Sequence, residues 1–229
     1  MSRAVRIVLG LAIVGALAAG GFLMYISVRG GSGEASQEIS APELVAESEG
    51  IIFNIVPEES EVRFELDEVL RGQPTTVVGR TNQVAGQLLV NFDNPAATEV
   101  GTIRINVRTL VTDQEFRNRA IRGEILLSAR DEFEFGEFQP TSISGLPETV
   151  TMGEPINFQI TGNLLLRGVS NEATFDTTVT PVDETRLEGT AAAVVDRTLY
   201  GMEIPDAPGV ANVEEEVELY IDFVATAAE

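Results

Sequence analysis

The side chains that most often carry enzymatic chemistry are missing from this sequence. Its 229 residues hold no His and no Cys. No Ser–His or Cys–His nucleophile system can be assembled, no thiolate exists, and the usual ligands of zinc and copper are absent. Carboxylate is plentiful: 36 Asp and Glu stand against 15 basic residues, every one of them Arg. Paired carboxylates can do general acid–base work, but no pair stands out by spacing. Glu214-Glu215-Glu216 reads as a solvated turn, and no calcium-loop pattern is present. The residues point away from catalysis, and neither metal nor cofactor is expected. Without Cys there is no disulfide framework and no lipidated N-terminal Cys.

The formal net charge is −21. Arg3, Arg6 and Arg29 are the only charges in residues 1–33, so residues 34–229 carry 12 Arg against 36 acids, or −24. Such a field repels nucleic-acid phosphates and anionic headgroups, and nucleic acid is not an expected partner. The plain reading of this charge is solubility.

The chemistry left is apolar contact, and its residues recur with period two. Val62, Phe64 and Leu66 alternate with polar neighbours; so do Leu88, Val90 and Phe92, then Ile103, Ile105 and Val107. From Asn157 to Val179, Phe158 and Ile160 lead to Gly162-Asn163, which interrupts the run. Leu164 and Leu166 resume it, Arg167–Asn171 turns the chain, and Phe175 and Val179 return. Val217, Leu219, Ile221 and Phe223 close the chain as a strong last strand, a natural partner for Ile51–Val56. Eight to ten such segments, with no βαβ alternation, predict an antiparallel all-β domain with one wet and one apolar face. Sandwich and barrel share this pattern.

One short helix is expected after Thr112. Thr112 and Glu115 are spaced as a capping box, Asp113 and Glu115 each precede an Arg by four residues, and Gly123 is placed to end the helix. Arg117, Arg119 and Arg122 could meet an anionic group, but ordinary ion pairs explain them. Phe133, Phe135 and Phe138 read as an irregular crossing into a strand at Thr141–Ser144, serving packing or plugging one end. The small residues Gly189 and Ala191–Ala193 either leave interior room or allow close packing.

Residues 1–29 read as a membrane segment. Ile7–Val28 is an uncharged run of 22 residues, and about 20 suffice to span a bilayer. Arg3 and Arg6 against Arg29 predict the N-terminus inside. Ala16-Leu17-Ala18 offers a cleavage site, but the apolar run continues through Phe22–Ile26, which favours a retained anchor over a removed signal. Either way the acidic part leaves the cytoplasm. Residues 30–50, Gly-Gly-Ser-Gly followed by five Glu, read as a flexible acidic linker, with a short helix conceivable around residues 41–48. Residues 51–229 form the domain.

Three motifs then converge. The Phe-containing strand with its G-x-L-x-x-x-G-V turn and returning Phe strand, the segment Thr112–Leu126, and Thr141–Pro147 together resemble the YceI-like family of bacterial extracytoplasmic proteins. The resemblance covers roughly Ile51 to Ala228. It implies a lipocalin-like antiparallel β-barrel of about eight strands, whose apolar interior holds a long amphiphile such as a polyisoprenoid. It also implies that the chain can pair into a homodimer. The family's first strand often carries a His or Ser near its start; here Pro57-Glu58-Glu59-Ser60 supplies Ser60 and no His.

With the alternate apolar positions turned inward, the expected lipid-binding residues are Phe64, Leu88, Val90, Ile103, Ile105, Phe158, Ile160, Leu164, Leu166, Phe175, Leu219 and Phe223. Each reads equally well as plain core. Ten buried CH₂ groups would supply roughly 8 kcal/mol before entropic costs. The acidic field favours a neutral isoprenoid or quinone over a fatty-acid carboxylate. The expectation is a membrane-tethered, extracytoplasmic domain that binds a long apolar lipid without transforming it. A tethered structural or interaction domain with a filled core is the alternative.

Overall fold

Period-two alternation becomes strand in every run that was read, except that Phe92 falls in a bend after its strand and Val107 opens a 3-10 turn. In Glu216–Ala227 (β13) every second residue, from Val217 to Phe223, turns to one side while Glu218, Tyr220 and Asp222 take the other. The computed structural model describes residues 33–228. The expected membrane segment, residues 7–28, therefore lies outside the described residues. Among those described, no helix is long and apolar enough to cross a membrane.

The domain is mostly β, a single curled antiparallel sheet with one short helix. The strands, in order, are Ile51–Ile55 (β1), Glu61–Leu70 (β2), Gln73–Thr81 (β3), Val84–Ala85 (β4), Gln87–Val90 (β5), Glu99–Val100 (β6) and Ile103–Asn106 (β7). There follow Phe135–Ser144 (β8), Ile156–Leu166 (β9), Val169–Asp183 (β10), Arg186–Asp196 (β11), Val210–Ala211 (β12) and β13. Pairing runs β4-β7-β8-β9-β10-β11-β13-β1-β5-β6, with β2, β3 and β12 attached beside β13. Gly86 alone separates β4 from β5. One stretch of chain, 84–90, therefore lies at both ends of the pairing path.

β13 pairs with β2 through Glu218–Asp222 and with β1 through Ala225–Ala227. The break between β1 and β2 is a single 3-10 turn, Pro57–Glu59. Ser60 repairs it: its hydroxyl donates to the Val56 carbonyl at 2.7 Å and accepts from the Val224 amide at 3.2 Å. The last strand thus partners the first, as its alternation predicts.

The helix (α1) is Glu115–Ala120, and it continues as a π-helical turn over Ile121–Ile125. The capping box does not form. Gln114 is the N-cap and gives no side-chain bond; Asn118 instead accepts from the Thr112 amide (2.7 Å) and hydroxyl (2.8 Å). Gly123 lies inside the π turn rather than after the helix. Asp113–Arg117 and Glu115–Arg119 do pair, at 2.5 and 3.5 Å. Of the large apolar side chains here, Ile121 is buried but Phe116 is 71 % exposed.

Two further expectations change. Gly162 and Asn163 do not interrupt β9. A Cβ at Gly162 would lie 2.4 Å from the Gln139 carbonyl oxygen, so this glycine lets β9 pass close to β8 at its bulge between Pro140 and Ser142. Nor is Phe133–Phe138 an irregular crossing: Phe133 ends a 3-10 turn and β8 begins at Phe135.

Residues 34–50, read from composition as part of a flexible linker, form no helix at 41–48. Their main chain is hydrogen-bonded to the sheet: Ser36 N–H to Glu134 Oε1 (2.7 Å), Leu44 N–H to Gln87 Oε1 (2.8 Å), and the Ser40 carbonyl to Arg104 Nη1 (3.0 Å). Leu44 approaches Gly101, and Leu89 under Gly50 is 2 % exposed. Hence Leu88 and Leu89 are both buried, where strict alternation would leave one of them wet.

Candidate functional site

The inward faces of these strands line two adjoining cavities. The larger has a volume of about 180 Å³; on that measure a single water needs about 10–15 Å³. It is therefore a hollow and not a packing defect. Phe64, Ile105, Leu164, Leu166, Phe175 and Leu219 line it, with Ile121, Ile125 and Leu126 from α1 and its π turn closing one side. The smaller, about 50 Å³, is lined by Leu88, Ile103, Phe158, Ile160 and Phe223, again with Phe175. Phe138, Phe175 and Ile221 border both. The Phe138 and Phe175 rings meet edge to face at 4.8 Å, a favoured aromatic geometry, at this boundary.

The interior stays open because its aromatic rings lie along the wall. Phe64 faces Gly79 directly across β2 and β3, and Phe223 faces Gly189 across β13 and β11. A Cβ at Gly79 would fall 2.2 Å from Phe64 Cε1, and one at Gly189 would fall 2.5 Å from Phe223 Cζ. Each ring covers bare backbone on the neighbouring strand. The small residues of β11 thus serve both expected purposes: Gly189 permits close packing, while Ala191 borders the smaller cavity.

Charged side chains reach only the larger cavity's lining, and their charges are occupied. Arg63 pairs with Glu65 (3.1 Å) and with Asp222. Arg117 pairs with the buried Glu68 (3.1 Å) and with Asp113. Arg197 donates to the carbonyls of Glu214 and Met202, both at 2.9 Å. The Arg63 guanidinium lies 4.3 Å above the Tyr220 ring, and the Tyr220 hydroxyl donates to Glu218, a bond that raises its pKa. Burial pushes the Tyr200 phenol up as well. Among the described residues no cluster of acids is placed to hold a metal ion.

A family model described as the YceI-like domain matches residues 53–225. The chain belongs to the YceI-like family. No curated protein sequence matches it. Two solved structures share the fold. One is a polyisoprenoid binding domain from Saccharophagus degradans implicated in plant cell wall breakdown, 13 % identical, with a TM-score of 0.60 over 79 % of this chain and 100 % of that one. The other is BcnA of Burkholderia cenocepacia, 18 % identical, with a TM-score of 0.58 over 75 % and 99 %.

Eleven of the twelve residues singled out in the sequence of this YceI-like chain border one cavity or the other. Val90 borders neither and packs half-buried against the core. Ser60, at the family's usual polar position, is spent on the β1–β2 break. Sequence reasoning missed Ile125, Leu126, Val195 and Met202. The first two carry no helical periodicity because a π turn replaces the α period, and Met202 sits in an irregular segment with no strand alternation. Phe138, weighed as core, borders both cavities.

Proposed function

We propose that this YceI-like chain binds one long apolar lipid, a polyisoprenoid or isoprenoid quinone, inside a closed lipocalin-like barrel, and does not transform it. Closure follows if β1 with β2, β3 through β5, and β6 with β7 each count as one strand: eight strand positions then form a ring. An eight-stranded barrel has room for one small ligand. The observation that carries the reading is the hollow itself, apolar across both cavities, whose neighbouring guanidiniums already have partners. The polyisoprenoid-binding domain with the same fold supports the ligand class. Residues 7–28 would tether the domain at the outer face of a bacterial membrane, where such lipids reside.

The test is lipid identification. The full chain, purified in mild detergent, is extracted with organic solvent and the extract is examined by mass spectrometry. An isoprenoid at near one per chain is expected. Leu164→Glu places a carboxylate in the hollow and should remove the lipid. An empty extract, together with no uptake of added isoprenoids, would sink the proposal and leave a tethered interaction domain.

A further inference from the structure

Tyr200 carries a hydroxyl that the fold does not use. The residue ends a single 3-10 turn, Arg197–Tyr200. It is 1 % exposed and lines the larger cavity. No described residue makes a hydrogen bond to its hydroxyl, whereas the Tyr220 hydroxyl is engaged by Glu218. Buried polar groups are nearly always paired. Among the described residues Ser128 Oγ is the one fully enclosed side-chain polar atom left without a partner. The Tyr200 oxygen is therefore not fully enclosed, and the residue that carries it lines the larger cavity.

The charged residues that line the same cavity narrow what it can bind. Arg63 and Arg117 bring Glu65, Asp222, Glu68 and Asp113 with them, so with Arg197 the region holds three guanidiniums and four carboxylates. Nε, Nη1 and Nη2 of Arg197 all donate to main-chain carbonyls. An anionic end would meet occupied cations and a buried Glu68. A neutral oxygen would meet a free O–H donor.

Resting on the lipid-binding reading, we propose that the Tyr200 hydroxyl donates a hydrogen bond to a neutral oxygen, alcohol or ketone, at the end of the bound lipid. This fixes the lipid's direction. The oxygen lies in the larger cavity, and the chain passes Phe138 and Phe175 toward Leu88 and Phe223.

Equilibrium binding to the full chain tests this with three probes: geranylgeraniol, the matching hydrocarbon without the hydroxyl, and geranylgeranyl phosphate. Wild type should bind the alcohol most tightly. Tyr200→Phe should weaken the alcohol by about tenfold, the worth of one buried hydrogen bond, and leave the hydrocarbon within about twofold. Equal weakening of both would mean a packing role and overturn the proposal, as would an unweakened alcohol. Phosphate bound more tightly than alcohol would overturn the neutral class. If wild type binds no probe, the carrier reading falls along with this one; binding without a Tyr200 effect defeats this one alone. A second readout needs no variant. The infrared carbonyl band of bound geranylgeranylacetone should shift to lower frequency on entering wild type, and an unshifted band would count against the bond.

Discussion

Gly189 and Phe223 show how much one missing methyl does. The ring occupies the place a Cβ would take, so Gly189→Ala must drive it off the wall into the lumen. We expect a loss of about 1–3 kcal/mol, typical of overpacking, read as a lower denaturation midpoint together with weaker lipid retention. Phe223→Leu added to the same chain should recover part of the stability, and strict additivity of the two changes would contradict the contact. Gly123→Ala is the control. Nothing lies within 4 Å of the added carbon, so stability should hold or rise by about 0.4–1 kcal/mol. The sequence shows Gly189 in a run of small residues, but not that its partner is Phe223. That pairing depends on the register of two strands joined by a long connection, from Asp196 to Glu216.

At the scale of elements, a buried polar bracket joins the segment before β1 to the turns around β7 and β8. The Arg108 side chain is only 2 % exposed and Glu134 is 7 % exposed, and the two pair at 3.4 Å. Arg108 Nε donates to the Ser128 carbonyl and Nη2 to Asp131. Glu134 Oε1 accepts from Asn106 (2.8 Å) and from the Ser36 amide (2.7 Å). Glu134→Ala would leave Arg108 with Asp131 alone as its carboxylate partner and take the acceptor from Asn106 and the Ser36 amide, at a cost of about 1–3 kcal/mol. Glu134→Gln keeps an acceptor and should cost less. Hydrogen exchange at the Ser36 amide should accelerate in both variants, and slow exchange in Glu134→Ala would show that the bracket does not hold this segment. Strands were legible because alternation is local, and the inward set followed from it almost residue by residue. The bracket was not legible: its bonds join side chains to main chain up to 98 residues away, with no period to betray them. The capping box failed for a related reason. Asn118, one turn into the helix, reaches back to Thr112 and takes the place that Glu115 was expected to fill.

For the molecule as a whole, charge opposes charge. The net −21 is self-repulsive, and most of the ion pairs are at least partly exposed. Raising salt from about 10 mM to 300 mM should therefore raise the melting temperature, because screening reaches long-range repulsion first; a fall would mean the ion pairs dominate. Acid acts in two stages. Hydrogen bonds from the Thr185 and Thr198 hydroxyls hold Asp183 and Asp196 below the usual carboxylate range, and Arg186 does the same for Glu59. Their folded pKa values are depressed, so the stability they supply is complete above the unfolded range near 4 and is lost as pH falls through the folded values. Melting temperature should rise from pH 7 to about 5 as repulsion eases, then drop below about 4; a steady fall from neutrality would remove repulsion from the account. The two limits of the sheet meet as well. The Ala228 amide donates to the Ile52 carbonyl at 2.8 Å, and Ala227 lies opposite Phe53. First and last strands end side by side, so a linker long enough to lead from Ala228 back to the start of the 34–50 segment would allow new termini at the exposed bend near Gly153. Such a circular permutant would have the same walls built in a different order of synthesis, and with them the same hollow.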